Sequence, residues 1–174
     1  MSASRYEDII EAFRTRLASI VAGATILSGS SEVYNYTPDR VVRAHALQLS
    51  FLDSSLSIIY FLVPDRRTPR LADVWVTRAD VSLDIVCCQK FEPATEEPLH
   101  AEAPIRETLV SKMARDIEAA LAVKTWQTTL SGSGTEVWNI QVANDDRNAE
   151  VTHLAKWAVG VLNATFTYQY REAA

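Results

Sequence analysis

The sequence contains few of the residues that build disulfide frameworks, metal sites and phosphate-binding loops. Of its 174 residues, only two are cysteine, three are histidine and five are glycine. The two cysteines, Cys87 and Cys88, are adjacent, so on a strand they point to opposite faces of the sheet. We therefore expect no disulfide between them. A reducing cytoplasm is the simplest environment for such a chain.

Long apolar runs and a surplus of basic charge are also missing. The longest apolar stretch, Ile58 to Val63, has the length of a strand, whereas a helix that crosses a bilayer needs roughly 20 apolar residues. The N-terminal segment has acidic residues where a signal peptide would be apolar. The 17 basic and 22 acidic residues give a net charge of −5. This balance argues against nucleic acid as the main partner.

The composition is otherwise that of an ordinary globular protein. Hydrophobic residues make up 48% and charged residues 22% of the chain, which is enough apolar material for a real core. A chain of this length fits one domain, so residues 1–174 are interpreted as a single domain.

Two stretches have the apolar periodicity of amphipathic helices. The first runs from about Arg5 to Val21, with Gly23 placed to stop it. The second begins near Pro104, a residue suited to a first helical turn. Its apolar stripe consists of Ile105, Leu109, Met113, Ile117 and Leu121.

Alternation of apolar and polar residues predicts several strands. They are Ser57 to Val63, Val74 to Cys88, Glu136 to Val142 and Leu162 to Tyr170. Gly29, Ser30 and Ser31 mark a turn, and Val41 to Leu52 fits either a strand or a short helix. Pro64 to Asp73, with two prolines and three arginines, is predicted to be an exposed loop. This order predicts an α+β fold, a mostly antiparallel β-sheet packed against two amphipathic α-helices.

Residue types that carry catalysis are present but not in catalytic patterns. The three histidines, His45, His100 and His153, form no metal-binding spacing. Cys87 belongs to the apolar face of its strand, and Cys88 is expected to be partly exposed. The paired acids (Glu96/Glu97 and Asp145/Asp146) lie in predicted loops. The sequence therefore predicts a protein that is not an enzyme and that needs no cofactor or metal.

Arginine and tryptophan provide the candidate contact residues. Arg66, Arg67 and Arg70 lie together in the predicted loop, and arginine is enriched at protein interfaces because its planar guanidinium pairs with carboxylates. An exposed tryptophan would also indicate a contact surface. Trp75 and Trp157 are the candidates of this kind.

Taken together, the layout resembles the tail terminator (tail completion) proteins of long-tailed bacteriophages. The matching segments are an opening helix (YEDIIEAFRTRLASI), a proline-containing stretch (FLVPDRRTPRLADVWV), a strand (RADVSLDIVCCQ) that leads into a long helix (IRETLVSKMARDIEAALAV), and a closing strand (NATFTYQYRE). The resemblance covers most of the chain and rests on the order and pattern of the elements. Residues 37–56 and 126–156 make this chain longer than the shortest members of the family.

The resemblance implies a structural role in the virion, in the tail or neck, after assembly in the host cytoplasm. Subunits of this family form a ring, typically a hexamer, that caps the tail tube protein, stops its polymerisation and meets the head–neck connector protein. Genome DNA would pass through the channel without specific binding, and no membrane would be involved. Another phage neck or head-closure protein, a small bacterial ligand-binding α+β module, and an enzyme with a dispersed active site are the alternatives.

Overall fold

The computed structural model of the chain describes residues 5–44, 57–62, 68–73, 76–90, 102–131, 135–145 and 157–171. Within these ranges lie three α-helices and six β-strands. The helices are α1 (Arg5–Ala18), α2 (Glu102–Ala122) and α3 (Lys124–Thr129). The strands are β1 (Arg40–Ala44), β2 (Ser57–Leu62), β3 (Thr68–Asp73), β4 (Val76–Lys90), β5 (Thr135–Asp145) and β6 (Trp157–Arg171).

The six strands form one sheet in the order β1-β2-β4-β6-β5, and β3 also pairs with β4. All pairs are antiparallel except β1 with β2, which is parallel. The two 15-residue strands β4 and β6 pair along their whole length and form the centre of the sheet. The predicted α+β class and the mostly antiparallel sheet are therefore confirmed.

Helices α1 and α2 cover one face of this sheet and share one apolar core with it. Helix α1 supplies Tyr6, Ile9, Ile10, Phe13 and Leu17, and α2 supplies Met113, Ala114, Ile117, Ala120 and Leu121. The sheet supplies alternate residues: Ala79, Val81, Leu83, Ile85 and Cys87 from β4, and Leu162, Ala164, Phe166 and Tyr168 from β6. This arrangement confirms the helical and the alternating patterns read from the sequence.

The apolar periodicity of the sequence predicts the positions of the main elements correctly, whereas the predicted ends differ from those in the structure by a few residues. Helix α1 ends at Ala18, earlier than predicted, and Gly23 follows with a φ of 79°. Acidic residues in the first turn of α1 and Arg16 in its last turn stabilise the helix, because their charges interact favourably with its dipole. No helix in the described ranges is long and apolar enough to cross a membrane.

The opposite face of the sheet is polar over much of its length. Ser82 and Asp84 of β4 are exposed, and the side-chain amide of Asn163 donates to both, at 2.8 and 3.0 Å. Nearer one end, Thr167 donates to the carboxylate of Asp80 at 2.9 Å. These cross-strand pairs satisfy polar groups on β4 and β6, as the alternating sequence predicts.

At its other end this opposite face is buried. Val86, Cys88, Trp157 and Val159 are each less than a tenth exposed, and Cys88 is paired in register with Val159. The expectation that Cys88 is partly exposed is therefore wrong. The alternation along β4 correctly separates the two faces, but it cannot show that both faces are covered where the strand ends.

Two further segments differ from the sequence prediction. The predicted loop from Pro64 to Asp73 contains strand β3, which pairs with β4 so that Pro69 faces Ala79. A proline fits an edge strand because it has no N–H to donate to a neighbour. Helix α3, which follows α2 after Val123, was not predicted. Val41 to Ala44, left open as strand or helix, lies in β1.

Strand β5 contains a bulge that depends on one asparagine. Trp138 pairs with Thr167 and Gln141 with Thr165, so Asn139 and Ile140 together face a single residue of β6. Asn139 has a φ of 54°, a left-handed conformation that asparagine tolerates better than most residues.

Replacing Asn139 with valine is expected to lower the free energy of unfolding by about 1 to 2 kcal/mol, because a β-branched residue is strained at positive φ. Denaturant unfolding would measure it. Asn139→Gly should change the stability by less than about 0.5 kcal/mol, since glycine adopts this φ freely but loses more chain entropy. Gln141→Val, at an exposed regular position of the same strand, is the matched control. An equal loss in both valine variants would contradict the role given to φ.

Candidate interface surface

The chain from Val21 to Asn35 forms a short hairpin beside the end of α2. Thr25 and Val33 are bridged as antiparallel partners. The amide of Ile26 donates to the carbonyl of Glu32 at 3.0 Å, and that of Ser30 closes the turn by donating to Leu27 at 3.0 Å. Gly29, with a φ of 83°, occupies the turn. The turn predicted at Gly29 to Ser31 is thus confirmed as the tip of a hairpin.

A buried carboxylate on α2 holds the base of this hairpin. Asp116 is 0% exposed. It accepts hydrogen bonds from the backbone N–H of Asn35 at 2.6 Å, from the side-chain amide of Asn35 at 2.7 Å and from the N–H of Tyr36 at 3.1 Å. Charge-assisted bonds to a buried carboxylate are among the stronger ones in proteins. The position of the hairpin against α2 is therefore fixed at its base.

Weaker contacts on the surface extend this attachment. The N–H of Ala22 donates to the hydroxyl of Thr37 at 2.8 Å, and Arg115 lies 3.4 Å from Glu32 in an exposed ion pair. An exposed pair of this kind contributes little to stability.

The end of α2 is held by side chains from both neighbouring helices. The last carbonyls of a helix have no partner within it. Arg16 of α1 donates to the carbonyl of Ala120 at 2.8 Å, and Gln127 of α3 donates to that of Leu121 at 2.8 Å. Arg16 also lies over the ring of Trp126, 6.0 Å from its centre. The helix end that faces the hairpin is therefore well ordered by its contacts.

An apolar groove of about 480 Å³ lies between the hairpin and the end of α2. Its apolar lining consists of Ile26, Leu27, Ala119, Ala122 and Val123. Two charged residues, Glu32 and Lys124, and the polar Thr125 also line it. We refer to these eight residues as the hairpin groove.

The same hairpin carries the exposed large hydrophobic residues of the described ranges. Leu27 is 52% exposed, Val21 49% and Val33 41%. Single exposed apolar side chains are ordinary, but three on one short segment, next to an apolar groove, form a patch that suits a contact with another molecule. The sequence showed the turn but gave no sign of the groove, because its two walls are distant along the chain.

Three of the five predicted contact residues, Arg66, Arg67 and Trp75, fall outside the described residues. Arg70 lies in β3, paired with Arg78 of β4, and not in a loop as predicted. Trp157 is only 8% exposed, so its exposure, the reason for choosing it, does not hold within one chain. Trp157, whose side chain the structure describes, does not line the hairpin groove.

Most other candidates for chemistry lie outside the described ranges: all three histidines, Glu96, Glu97 and Asp146. Asp145, predicted to lie in a loop, is instead the last residue of strand β5, where it pairs with Val161. Within the described ranges, no group of three or more histidine, cysteine or acidic residues is placed to hold a metal ion. The Tyr36 hydroxyl is buried without a hydrogen-bond partner in the described part of the chain. Burial, with smaller contributions from Cys87 and Asp116, raises the pKa of Tyr36 well above its usual value.

Both cysteines are buried and weakly acidic. Burial raises the pKa of Cys87 to about 12, although backbone hydrogen bonds from Gly160 and from Cys87 itself lower it in part. Burial and the neighbouring Cys87 raise the pKa of Cys88 to about 12. Because the thiolate is the nucleophile, neither side chain is prepared for nucleophilic chemistry at neutral pH.

The folded protein is accordingly expected to react slowly with a thiol reagent at pH 8, and the unfolded chain to react quickly at both positions. Timed labelling with and without denaturant, read by mass spectrometry, tests this expectation. Rapid labelling of the native protein at either cysteine would contradict it.

Both thiols bind their proton more tightly in the folded state. The free energy of unfolding should therefore fall as the pH rises from 9.0, the reference pKa of a thiol, towards 12.

A scan of protein-family models finds no match to this chain. A search of curated proteins finds no significantly similar sequence either.

Proposed function

We propose that this chain is a structural subunit that acts by assembly, a tail terminator of a long-tailed bacteriophage. In this role its copies form a ring, typically of six, that caps the tail tube, stops tube growth and meets the head–neck connector. The virion tail or neck is its place of action. The observation that carries the proposal is the apolar patch of Leu27, Val21 and Val33, an exposed surface outside the core of the kind that subunit contacts bury.

The order of elements supports the same proposal. Helix α1 opens the described chain, the short strands β1 to β3 follow, β4 leads into the long helix α2, and β6 closes it. This is the order on which the resemblance to tail terminators rests. A closed ring needs a heterologous interface, in which two different patches of each subunit meet. The patch on the hairpin and the arginine-containing segment around β3 are separate in sequence and provide two such candidates.

The charge of the chain suits a channel for DNA. A net charge of −5 weakens contact with phosphate, so DNA would slide through the ring without specific binding. A mobility-shift experiment with duplex DNA at low salt would test this, and tight binding there would count against the channel role.

The groove itself favours a second candidate function. A mostly apolar groove of about 480 Å³ is within the usual size of a small-molecule site. A small ligand-binding α+β module is therefore the alternative to an assembling subunit. It would remain small in solution and would not act on tubes.

Co-expression with the tail tube protein of the same genome tests the proposed function. Electron microscopy should show tubes that end in a ring when the chain is present, and longer uncapped tubes when it is absent. A genome without a tube protein, or tubes whose length and ends do not change, would overturn the proposal.

The predicted arginines can be tested in the same experiment. Simultaneous replacement of Arg66, Arg67 and Arg70 by alanine is expected to abolish capping if these residues contact the tube or a neighbouring subunit. Arg14→Ala is the matched control, because this half-buried arginine of α1 pairs with Glu11 in the same helix. Normal capping by the triple variant would show that these arginines are not interface residues. The apolar patch on the hairpin would then remain the candidate contact of the ring.

A further inference from the structure

The hairpin groove combines a projection and a hollow on one surface. Leu27 projects from the hairpin with half of its surface exposed. The small side chains of Ala119 and Ala122 leave the hollow beside it. A surface that holds both shapes can bind a copy of itself, because each copy offers the projection that the other lacks. Contacts of this kind are isologous and are the commonest in homo-oligomers.

The charges of the groove are arranged in the same self-complementary way. Glu32 lies beside Arg115, within 3.4 Å. Lys124 lies beyond Ala122, which is seven residues, or roughly 10 Å of helix rise, from Arg115. The acid and the base therefore lie towards opposite ends of the groove. Lys124 is exposed and has no carboxylate partner among the described residues.

We propose that the hairpin groove binds a second copy of this chain across a two-fold axis. Leu27 of each copy fills the groove of the other. The two-fold reverses the groove, so Glu32 of one copy faces Lys124 of the other, twice in each dimer. A partner of one charge sign would meet a like charge at one end, whereas a second copy meets an opposite charge at both.

This contact is expected to be weak. The eight residues that line the groove are few compared with the roughly 20 to 30 residues per partner of a stable interface, so the dimer should form in the micromolar range. The inference does not depend on the proposed function, since a ring is built from a heterologous contact and this contact is isologous.

Reversing the charges of Glu32 and Lys124 in separate variants distinguishes binding of a second copy from binding of any other partner. In Glu32→Lys homodimers two lysines face each other at both ends, and in Lys124→Glu homodimers two glutamates do. Each variant alone should associate at least about tenfold more weakly than the unchanged chain. A 1:1 mixture of the two variants should recover association, because every contact again joins opposite charges. Sedimentation velocity over a concentration series, with one variant fluorescently labelled, would measure both results.

Two controls protect the conclusion. Lys112→Glu changes the same charge at an exposed position of α2 that does not line the groove, and it should leave association unchanged. Leu27→Asp should abolish association while far-UV circular dichroism stays unchanged, because Leu27 is half exposed.

An unchanged chain that stays monomeric up to submillimolar concentration would overturn the two-fold contact, as would a mixture that does not recover. Dimers that persist unweakened in both single variants would overturn it too, while leaving the ring of the proposed function in place. If the unchanged chain dimerises but does not cap tail tubes, the proposed function is overturned and the two-fold contact remains.

Discussion

Replacing Asp116 with alanine is expected to lower the free energy of unfolding by about 3 kcal/mol. The carboxylate is fully buried and accepts three hydrogen bonds, two from Asn35 and one from Tyr36. Without it, backbone N–H groups lose their acceptor in a place that is partly closed to water. The cost of leaving such donors unsatisfied exceeds the modest net gain of a typical hydrogen bond.

Denaturant unfolding of a short series would measure this effect. Asn35→Ala removes only the side-chain donor and should cost about 1 kcal/mol. Asp116→Asn keeps one acceptor oxygen but turns N–H groups towards N–H groups, so its cost should lie between these two. Glu32→Ala is the matched surface control, since its ion pair with Arg115 is exposed, and should cost less than about 0.5 kcal/mol.

Hydrogen exchange would show where the damage lies. The amides of Asn35 and Tyr36 should lose protection in Asp116→Ala, while those of β6 keep theirs up to the new global stability. An alanine variant as stable as the unchanged protein would contradict the role given to this carboxylate. So would a loss of protection spread evenly over the sheet.

Asp116 also shows what the sequence could not reveal. It lies between Met113 and Ile117 on the apolar side of α2, where periodicity alone suggests an ordinary polar residue at the edge of a stripe. Its partners, Asn35 and Tyr36, are about 80 residues away. The long-range contact that makes the residue important leaves no local pattern.

The elements that could be predicted are those whose pattern repeats many times. Helix α1 and the strands β4 and β6 each carry several apolar residues at one period, so packing on one face decides their structure. Strand β3 was missed because the prolines and arginines between Pro64 and Asp73 are typical of a loop, and only pairing with β4 makes part of this segment a strand. The exposure of Cys88 was predicted wrongly, because the alternating pattern was taken to mean that one face of the sheet is exposed to solvent.

The candidate surface follows the same rule. A turn at Gly29 was predictable from local sequence, whereas the hairpin groove needs α2 to be brought against residues some 90 positions earlier. Of the contact residues predicted from composition, Trp157 does not lie in it, Arg70 lies in β3, and Arg66, Arg67 and Trp75 lie outside the described residues. Composition indicates which residue types favour interfaces, but the fold decides which of them share a surface.

Helix α2 packs closely on the sheet at Gly160 of β6, which lies opposite Val110. A Cβ atom added at Gly160 would lie 2.6 Å from Cγ1 of Val110 and 3.1 Å from Sγ of Cys87. Valine has little freedom to move away, because a β-branched residue in a helix has one strongly preferred rotamer. An alanine at this position must therefore displace α2 from the sheet.

Gly160→Ala is expected to lower the free energy of unfolding by about 2 kcal/mol, the usual cost of overpacking a core. Without the clash the sign would be reversed, since alanine is favoured over glycine inside a strand. Denaturant unfolding of Gly160→Ala, Val110→Ala and the double variant forms a complete cycle. Val110→Ala removes the closest atom, so the two changes should couple favourably by about 1 to 2 kcal/mol. The contact of Cys87 should keep the double variant slightly less stable than Val110→Ala alone. A Gly160→Ala protein that is as stable as the unchanged chain, or two changes that simply add, would show that α2 is not seated on this glycine.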